Sequence, residues 1–457
     1  MKLNINNKLL SILILALVLR LISLNQSLWL DEAINALAVK NLSLFDLVTK
    51  YTINDFHPPL YHIVLLFWTR VFGFSEVILR LPSVLFTLLS MVVTYFIGRD
   101  FFSKKIGLIS ALLFAVSPLS IYYSQEARMY ALAVLFASLS FYFFLHLKNG
   151  DFSNKFIFGF LLSVISGMYS DYIFWIFAFI LLVYLGISTK HKPKVFLICL
   201  VILLSILPWT PFLINQLRSG LSTAGTEPIW KAVVGEGSLK SLLLIPVKFS
   251  IGRISFYNKL NYFLYLFPVV LINFFAVLKA FSNYKKEIKP LLVWLVAPIS
   301  ISFIISFFVP VFSYFRFLFV LPAFLLILSL GMKKNIFLLY LFVFFSLISS
   351  LTYLFIPRFH REDWKGAVSF IENNSSVNSV SLLANIAQGA PYNYYSKLNP
   401  LIDEKNLKAD YDKIFFIRYA QPIFDPKENV LKKVESLGFT KSQEKDFNGV
   451  TVWEYKK

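Results

Sequence analysis

The stretch IFWIFAFILLVYLGIS at residues 173–188 decides the fold, because none of its side chains is charged. A helix of about 20 apolar residues crosses the hydrocarbon core of a bilayer, and similar runs recur along the whole chain. We predict about eleven such spans. They cover residues 9–24, 79–98, 106–121, 129–147, 156–169, 173–188, 195–214, 261–280, 291–309, 317–332 and 336–356. The sequence therefore predicts an α-helical polytopic membrane protein.

The composition supports this fold class. Of the 457 residues 57% are hydrophobic and 15% are charged, whereas soluble domains average about 45–50% apolar and about 25% charged residues. The net charge of +19 comes from Lys and Arg in short runs between apolar segments. That is the pattern of cytoplasmic loops, and it argues against a nucleic-acid-binding face. The single cysteine, Cys199, permits no intramolecular disulfide.

The basic loops also predict the orientation, with the N-terminus in the cytoplasm and an uncleaved first span. We interpret residues 58–73 as an amphipathic helix at the outer interface, because counting them as a span would move the later basic loops outside. Within a membrane domain of residues 1–356, the external loops are then 25–78 and 215–260, and the second contains Trp230.

Residues 357–457 have a soluble composition and predict a small α/β domain outside the cytoplasm. Helices are expected at 363–372 and 427–437, and strands at 380–383 and 413–418. Asn448-Gly449 lies between two further strand-like segments, which is a strong hairpin signal.

Two polar motifs stand beside the apolar spans: Trp29-Leu30-Asp31-Glu32, and Tyr123-Ser124-Gln125-Glu126-Ala127-Arg128-Met129-Tyr130. Carboxylates at a membrane boundary are costly and usually functional. An alternative for Asp31 is a helix cap opening residues 33–39. The alternative for the second motif is an interfacial aromatic belt in which Arg128 reaches toward the headgroups.

Three weaker motifs are predicted on the same outer side. His57-Pro58-Pro59-Leu60-Tyr61 has a stiff helix entry that would direct His57, although a turn with an incidental histidine is the alternative. Arg316, in Tyr314-Phe315-Arg316-Phe317, is a candidate phosphate ligand or a headgroup anchor. Asp171 is a candidate acid or part of a short solvated loop.

Taken in order, these motifs resemble C-type glycosyltransferases that use polyprenyl-phosphate sugars, and in particular the protein mannosyltransferase-like and lipid A aminoarabinose transferase-like enzymes. The resemblance implies an outer-face active site. It implies catalytic roles for Asp31, Glu32 and Glu126, and donor binding by Arg128 and Arg316. The remaining candidate binding residues are His57, Tyr61, Gln125, Tyr130 and Asp171. Tyr61-His62 stands where protein mannosyltransferases have Gly-Lys, which argues against a protein acceptor.

The chemistry of the transfer fits these residue types. A sugar phosphate is already a good leaving group, so the site needs a base for the acceptor hydroxyl and cations for the phosphate. No ligand cluster demands a metal, and we expect no cofactor, although a divalent ion could replace one cation. The expected partners are the lipid bilayer, a polyprenyl-phosphate sugar donor and a glycan, lipid or protein acceptor. A lipid-linked sugar flippase and a scaffold for the external domain are the competing functions.

Overall fold

The computed structural model describes residues 7–226, 235 and 237–457. Most of this chain is helical up to Phe355. The helices of seven or more residues there are Asn7–Leu21, Leu30–Asn41, Leu60–Phe72, Glu76–Phe101, Lys104–Val116, Pro118–Ser124, Tyr130–Lys148, Asn154–Met168, Ile173–Ser188, Lys192–Ile206, Thr210–Thr226, Leu239–Ile251, Lys259–Asn283, Lys289–Ile305, Leu321–Met332 and Ile336–Phe355. A 3₁₀ turn at Tyr314–Val320 leads into Leu321–Met332.

Each predicted apolar run corresponds to helix, and the chain is an integral membrane protein. Among the described residues, six helices are long and apolar enough to cross a membrane, and one bent pair makes a seventh. Four more apolar helices have 10–17 residues. The count of eleven spans therefore stays a prediction. The region 215–260, predicted as a loop, contains the end of helix Thr210–Thr226, all of helix Leu239–Ile251 and the start of helix Lys259–Asn283. Trp230 lies outside the described residues.

The predicted span 106–121 is broken into Lys104–Val116 and Pro118–Ser124, which meet at an angle of 61°. Pro118 cannot donate a backbone hydrogen bond, so the ladder is interrupted there. The buried Arg20 satisfies groups on both sides of the break. Its guanidinium donates to the carbonyls of Phe114 (3.2 Å) and Ala115 (3.1 Å) and to the Ser120 hydroxyl (2.9 Å).

Two of the helices pack closely at a position occupied by glycine. A Cβ atom at Gly331 would lie 1.8 Å from the carbonyl oxygen of Ala276. Helix Leu321–Met332 therefore approaches helix Lys259–Asn283 at backbone distance, as small residues permit between membrane helices. Helix Leu321–Met332 is buried along its whole length, whereas Lys259–Asn283 exposes many apolar side chains.

The chain divides into two compact units. The helical unit contains the helix before Ile22 together with Leu44–Trp68 and Arg80–Phe355. The mixed unit contains Ser23–Ser43, Thr69–Leu79 and Ile356–Lys457. Two segments that the sequence places in the first loop thus belong with the C-terminal region.

The C-terminal region has the predicted α/β character. Its five strands are β1 (Ser379–Leu383), β2 (Leu401–Ile402), β3 (Lys413–Arg418), β4 (Thr440–Phe447) and β5 (Val450–Lys456). The sheet order is β2-β1-β3-β5-β4. β1 is parallel to β2 and β3, while β5 is antiparallel to β3 and β4. The Asn448-Gly449 hairpin is confirmed, and both residues have positive φ, as a type I′ turn requires.

Each face of the sheet is covered by a helix. Helix Trp364–Asn374 packs against Phe415, Ile417 and Val452 on one face. Helix Asn429–Ser436 packs against Val380, Ile414 and Phe416 on the other. The short helix Ala390–Tyr395, between β1 and β2, was not predicted.

Candidate functional site

The acidic pair of the first loop lies at the start of helix Leu30–Asn41 in the mixed unit. The helix begins at Leu30, and its N-cap is Trp29, two residues before Asp31. Asp31 therefore lies in the first turn, and its interpretation as the N-cap was wrong. Both carboxylates still interact favourably with the positive end of the helix dipole.

The two carboxylates have different surroundings. Glu32 is fully buried, and its carboxylate lies 3.6 Å from the guanidinium of Arg361, which is buried as well. Asp31 is half-buried. Because successive helical residues differ in direction by about 100°, the two side chains point to different faces. Asp31 is thus the less buried carboxylate of the pair.

The C-terminal region places a phenol near Asp31. Burial, together with the carboxylates of Glu362 and Asp31, raises the pKa of Tyr419. The phenol is therefore a neutral hydrogen-bond donor at physiological pH. Tyr419 directly follows β3, at the carboxyl end of the parallel strands, where ligands of open α/β sheets usually bind. Arg361 and Tyr419 were not predicted from the sequence, because no local motif contains them.

In the helical unit, His57 is part of a chain of polar contacts. Its Nδ1 lies 3.2 Å from the Asp55 carboxylate, and its Nε2 lies 3.4 Å from Nη2 of Arg128. Arginine can only donate, so Nε2 accepts and Nδ1 donates to Asp55. A second histidine, His62, places Nε2 3.3 Å from the other Asp55 oxygen. The predicted residues His57 and Arg128 are therefore brought together, through a carboxylate that the sequence analysis missed.

The electrostatics of Asp55 follow from these neighbours. Burial alone would raise the pKa of its carboxyl group, but His57, His62 and Arg128 outweigh burial and lower the pKa below its usual value. Asp55 therefore stays ionised throughout the physiological range. The spacing Asp-x-His before the two prolines is the only local signal that could have identified it.

The turn that carries His57 is held by helix Thr210–Thr226. Gln216 donates to the carbonyl oxygens of Thr52 and of His57, the latter at 3.4 Å. Its own carbonyl oxygen accepts from Tyr172, whose hydroxyl oxygen in turn accepts from Trp209 at 2.8 Å. Residues from three parts of the sequence thus fix the direction of one histidine.

Asp171 is buried and caps the following helix by accepting from the backbone N–H of Ile173 at 2.7 Å. Burial raises its pKa, while the electrostatic interactions with His57, Arg316 and Arg128 act in the opposite direction. Asp171 is therefore electrostatically joined to the cationic residues selected from the sequence. The hydrogen bond to Ile173 also gives Asp171 a structural role, in contrast to the short solvated loop that was the alternative prediction.

The second polar motif forms a turn between helices Pro118–Ser124 and Tyr130–Lys148. Glu126 is buried there, and the guanidinium carbon of Arg128 lies 6.0 Å from the centre of the Tyr130 ring. Gln125 donates to the carbonyl oxygens of Arg20 (3.0 Å) and Ile22 (2.7 Å). It also accepts from Tyr353 at 2.8 Å. These bonds connect the turn to the end of the first helix and to helix Ile336–Phe355, so Gln125 has a structural role. Tyr61 is likewise almost completely buried.

A second cationic group comes from residues 239–258, which no motif had singled out. Arg253 is exposed and donates to the Tyr122 hydroxyl, and its guanidinium lies 4.7 Å from the Tyr122 ring. The phenols of Tyr122 and Tyr314, together with Glu126, raise the pKa of Arg253. Lys248 lies 6.0 Å from the Tyr314 ring. Burial and the charge of Arg253 lower the pKa of Lys248 to about 8.

The aromatic residues between the two cationic groups are in contact. The ring of Tyr123 lies 5.3 Å from that of Tyr130 and 6.4 Å from that of Phe315, the neighbour of Arg316. The helical unit thus combines cations, phenols and carboxylates along connected side chains. Within the described part of the chain, no three His, Cys, Asp or Glu side chains converge as a metal site would require.

Part of the chain matches a known protein family. Residues 56–213 match the model of the dolichyl-phosphate-mannose-protein mannosyltransferase family. That range contains His57, Glu126, Arg128 and Asp171 but neither Asp31 nor Arg316. No curated protein sequence gives a significant match to the chain.

The fold is similar to solved structures of low sequence identity. ArnT from Cupriavidus metallidurans, in the apo state, has a TM-score of 0.62 at 12% identity, with 97% of each chain covered. The same protein bound to undecaprenyl phosphate gives the same values. The oligosaccharyltransferase AglB from Archaeoglobus fulgidus, in complex with an inhibitory peptide and a dolichol-phosphate, has a TM-score of 0.55 at 11% identity. In that comparison 97% of this chain and 74% of AglB are covered. The chain thus contains a region that matches the dolichyl-phosphate-mannose-protein mannosyltransferase family model, and its fold is similar to those of ArnT and AglB.

Proposed function

We propose that the protein transfers a monosaccharide, a hexose or a pentose, from a polyprenyl-phosphate donor to a hydroxyl of an acceptor at the outer membrane face. The observation that carries this proposal is the polar chain Asp55–His57–Arg128, which lies almost entirely within the range matching the family model. Its electrostatic partners Asp171 and Arg316 come from two further parts of the sequence. A flippase would place its polar groups near the middle of the membrane, at broken helices.

Asp31 is the proposed base. It accepts the proton of the acceptor hydroxyl as the oxygen attacks the anomeric carbon. The bond from that carbon to the phosphate oxygen breaks, and the electron pair leaves with the polyprenyl phosphate. Attack from the face opposite the phosphate inverts the anomeric centre. Glu32 cannot share this role while it is buried against Arg361.

Cationic side chains hold the departing phosphate. We assign this role to Arg128 and Arg316, and we add Arg253 and Lys248, which the sequence had not suggested. Guanidinium groups suit phosphate because they pair with two oxygens at once. His57 is an accessory donor, and Glu126 orients a sugar hydroxyl. The buried Nε of Arg316 has no hydrogen-bond acceptor among the described residues, so its guanidinium has capacity to bind a ligand.

The basic loops favour a cytoplasmic N-terminus and a C-terminal region outside the cytoplasm. The structures of ArnT and AglB cited above contain undecaprenyl phosphate and dolichol-phosphate, respectively. Both lipids are consistent with a polyprenyl-phosphate donor here. The acceptor is a glycan, a lipid or a protein that presents a hydroxyl group.

Transfer can be measured with purified protein in nanodiscs, a panel of radiolabelled polyprenyl-phosphate monosaccharides and a membrane extract as the acceptor source. Asp31→Asn keeps the side-chain volume but removes the base, so turnover should fall at least about a hundredfold. Asp46→Asn is the matched control, because that carboxylate pairs with Lys50 at the surface, and it should leave turnover unchanged. Wild-type turnover in Asp31→Asn would contradict the assignment of the base. Movement of lipid between leaflets without any transfer would favour a flippase.

A further inference from the structure

The C-terminal region makes direct contacts with the residues that lead into helix Leu30–Asn41. The backbone N–H of Arg361 donates to the Gln26 side chain at 3.2 Å, and that of Lys365 donates to the Ser27 hydroxyl at 3.0 Å. The backbone N–H of Leu28 donates to the Tyr395 hydroxyl at 2.9 Å. Three consecutive residues before the helix are therefore held by groups from beyond residue 360.

Arg361 itself is fixed to the sheet. The side chain of Asn448, in the β4–β5 turn, donates to the carbonyl oxygens of His360 (3.2 Å) and Arg361 (2.8 Å). The backbone N–H of Asp363 donates to the carbonyl oxygen of Phe447 at 3.0 Å. Since the hairpin is part of the five-stranded sheet, the backbone at Arg361 cannot move without disturbing the sheet.

The side chain of Arg361 extends this connection to Glu32. Both partners of the ion pair are excluded from water, with side-chain exposures of 1% and 0%. Removing one partner of a buried ion pair is far more disruptive than losing a surface pair. The pair therefore restrains the first turn of helix Leu30–Asn41, and Asp31 is the adjacent residue in that turn.

We propose that Arg361 is a positioning residue that fixes the direction of Asp31 through the buried ion pair with Glu32. The C-terminal region is then part of the catalytic apparatus and not only a module for acceptor recognition. This inference rests on the proposed function for the role of Asp31. The ordering of residue 31 by Arg361 can, however, be measured independently of catalysis.

Arg361→Met tests the proposal, with Lys365→Met as the matched control. Lys365 belongs to the same segment and pairs with Glu76 at 3.1 Å, but its side chain is 58% exposed. Kinetics should show kcat lowered at least about tenfold in Arg361→Met, with the donor KM within about twofold of wild type, because misorientation of a base affects turnover more than binding. Lys365→Met should leave both constants unchanged. Arg361→Lys should restore part of the lost kcat.

The independent readout is the mobility of residue 31. Cys199 is the only cysteine in the chain, so Cys199→Ala with Asp31→Cys allows a single nitroxide label at the base position. When Arg361 is present, the electron paramagnetic resonance spectrum should have the line shape of an immobilised label. The label should become mobile in Arg361→Met, whereas in Lys365→Met its spectrum should be the same as with Arg361 and Lys365 both present. If Arg361→Met does not fold, the comparison uses Arg361→Lys, which should give intermediate mobility.

A label that stays immobilised in the folded Arg361 variants, or that becomes equally mobile in Lys365→Met, overturns the proposal. So does a kcat that is unaffected by Arg361→Met. Absence of transfer by the wild-type protein would instead contradict the proposed function, and the label would still report whether Arg361 orders residue 31.

Discussion

At the scale of single residues, neighbouring groups of the same type have different functions because their surroundings differ. Asp31 and Glu32 are adjacent carboxylates, yet Asp31 is only partly buried, whereas Glu32 is fully buried in an ion pair with Arg361. His57 and His62 share one carboxylate, and His57 in addition lies 3.4 Å from Arg128. Residue type limits the chemistry that a side chain can perform. Its burial and its contacts then determine which of those reactions or interactions are open to it.

Lys248 provides a pH-dependent test of donor binding. Its pKa of about 8 lies below the ordinary value for lysine, so the side chain is charged below pH 7 and loses its charge as the pH rises through 8. If it contacts the donor phosphate, the donor KM should rise by roughly fivefold between pH 7 and pH 9, equivalent to an ion pair of about 1 kcal/mol. Initial-rate measurements across this range supply the profile.

Lys248→Arg is the control, because arginine keeps its charge over the whole range. Its donor KM should be independent of pH between 7 and 9, while Lys248→Met should have a uniformly raised KM. A rise in KM that persists unchanged in Lys248→Arg would assign the titration to another group.

At the scale of helices, the break between Lys104–Val116 and Pro118–Ser124 depends on Arg20. Arg20→Met removes four donated hydrogen bonds, three of them to groups at the break and one to the Ala16 carbonyl, and leaves buried acceptors unsatisfied. We expect the free energy of unfolding to fall by about 2–4 kcal/mol, which thermal unfolding in detergent can detect. Ser120→Ala loses one of these contacts and should cost about 1 kcal/mol. Equal effects for both variants would show that the carbonyl contacts contribute little.

The crossing of helices Leu321–Met332 and Lys259–Asn283 gives a test of packing. Gly331→Ala would drive a methyl group into the backbone of Ala276, and should destabilise the protein by about 1–3 kcal/mol. Gly186→Ala lies in another apolar helix with open space around it, and should be neutral or stabilising by up to about 1 kcal/mol. Thermal unfolding of both variants, measured side by side, decides whether this helix contact is as close as described.

At the scale of the whole molecule, the mixed unit joins segments that are more than 300 residues apart in sequence, as in the bond between Leu28 and Tyr395. A chain ending at Phe355 would lack the partners of Gln26, Ser27, Leu28 and Glu32. We expect it to show no measurable transfer and to become sensitive to protease between Ser23 and Ser43. Co-expression of residues 356–457 as a separate chain is the control. Full activity of the truncated protein would show that the C-terminal region is dispensable.

Much of the fold was predictable because membrane helices and soluble domains differ strongly in local composition. Residues 173–188 were identified with the same bounds that the structure gives, and the β3 strand at 413–418 likewise. The break at Ser117 was not predicted, since Pro118 stands within a continuous apolar run. The helices at 210–226 and 239–251 were also not recognised, because Gly and polar residues obscure their periodicity.

The candidate site could be predicted only where its residues form local motifs. His57, Glu126, Arg128 and Arg316 stand beside aromatic or proline signals that can be found by reading along the chain. Gln216 and Arg253 have no such signal, since each becomes significant through a contact with a residue far away in the sequence. Asp55 has only its spacing from His57 as a local signal.

The amino-acid sequence by itself determined the membrane-spanning helical class, the α/β character of the C-terminal region and the first list of polar residues. These properties depend on hydrophobicity, periodicity and residue type, which act over a few turns of chain. Only the tertiary structure decided that Glu32 pairs with Arg361, that Asp31 is less buried than Glu32, and that the C-terminal region packs with the first-loop helix. Such pairings depend on long-range packing, which a local pattern of residues does not encode.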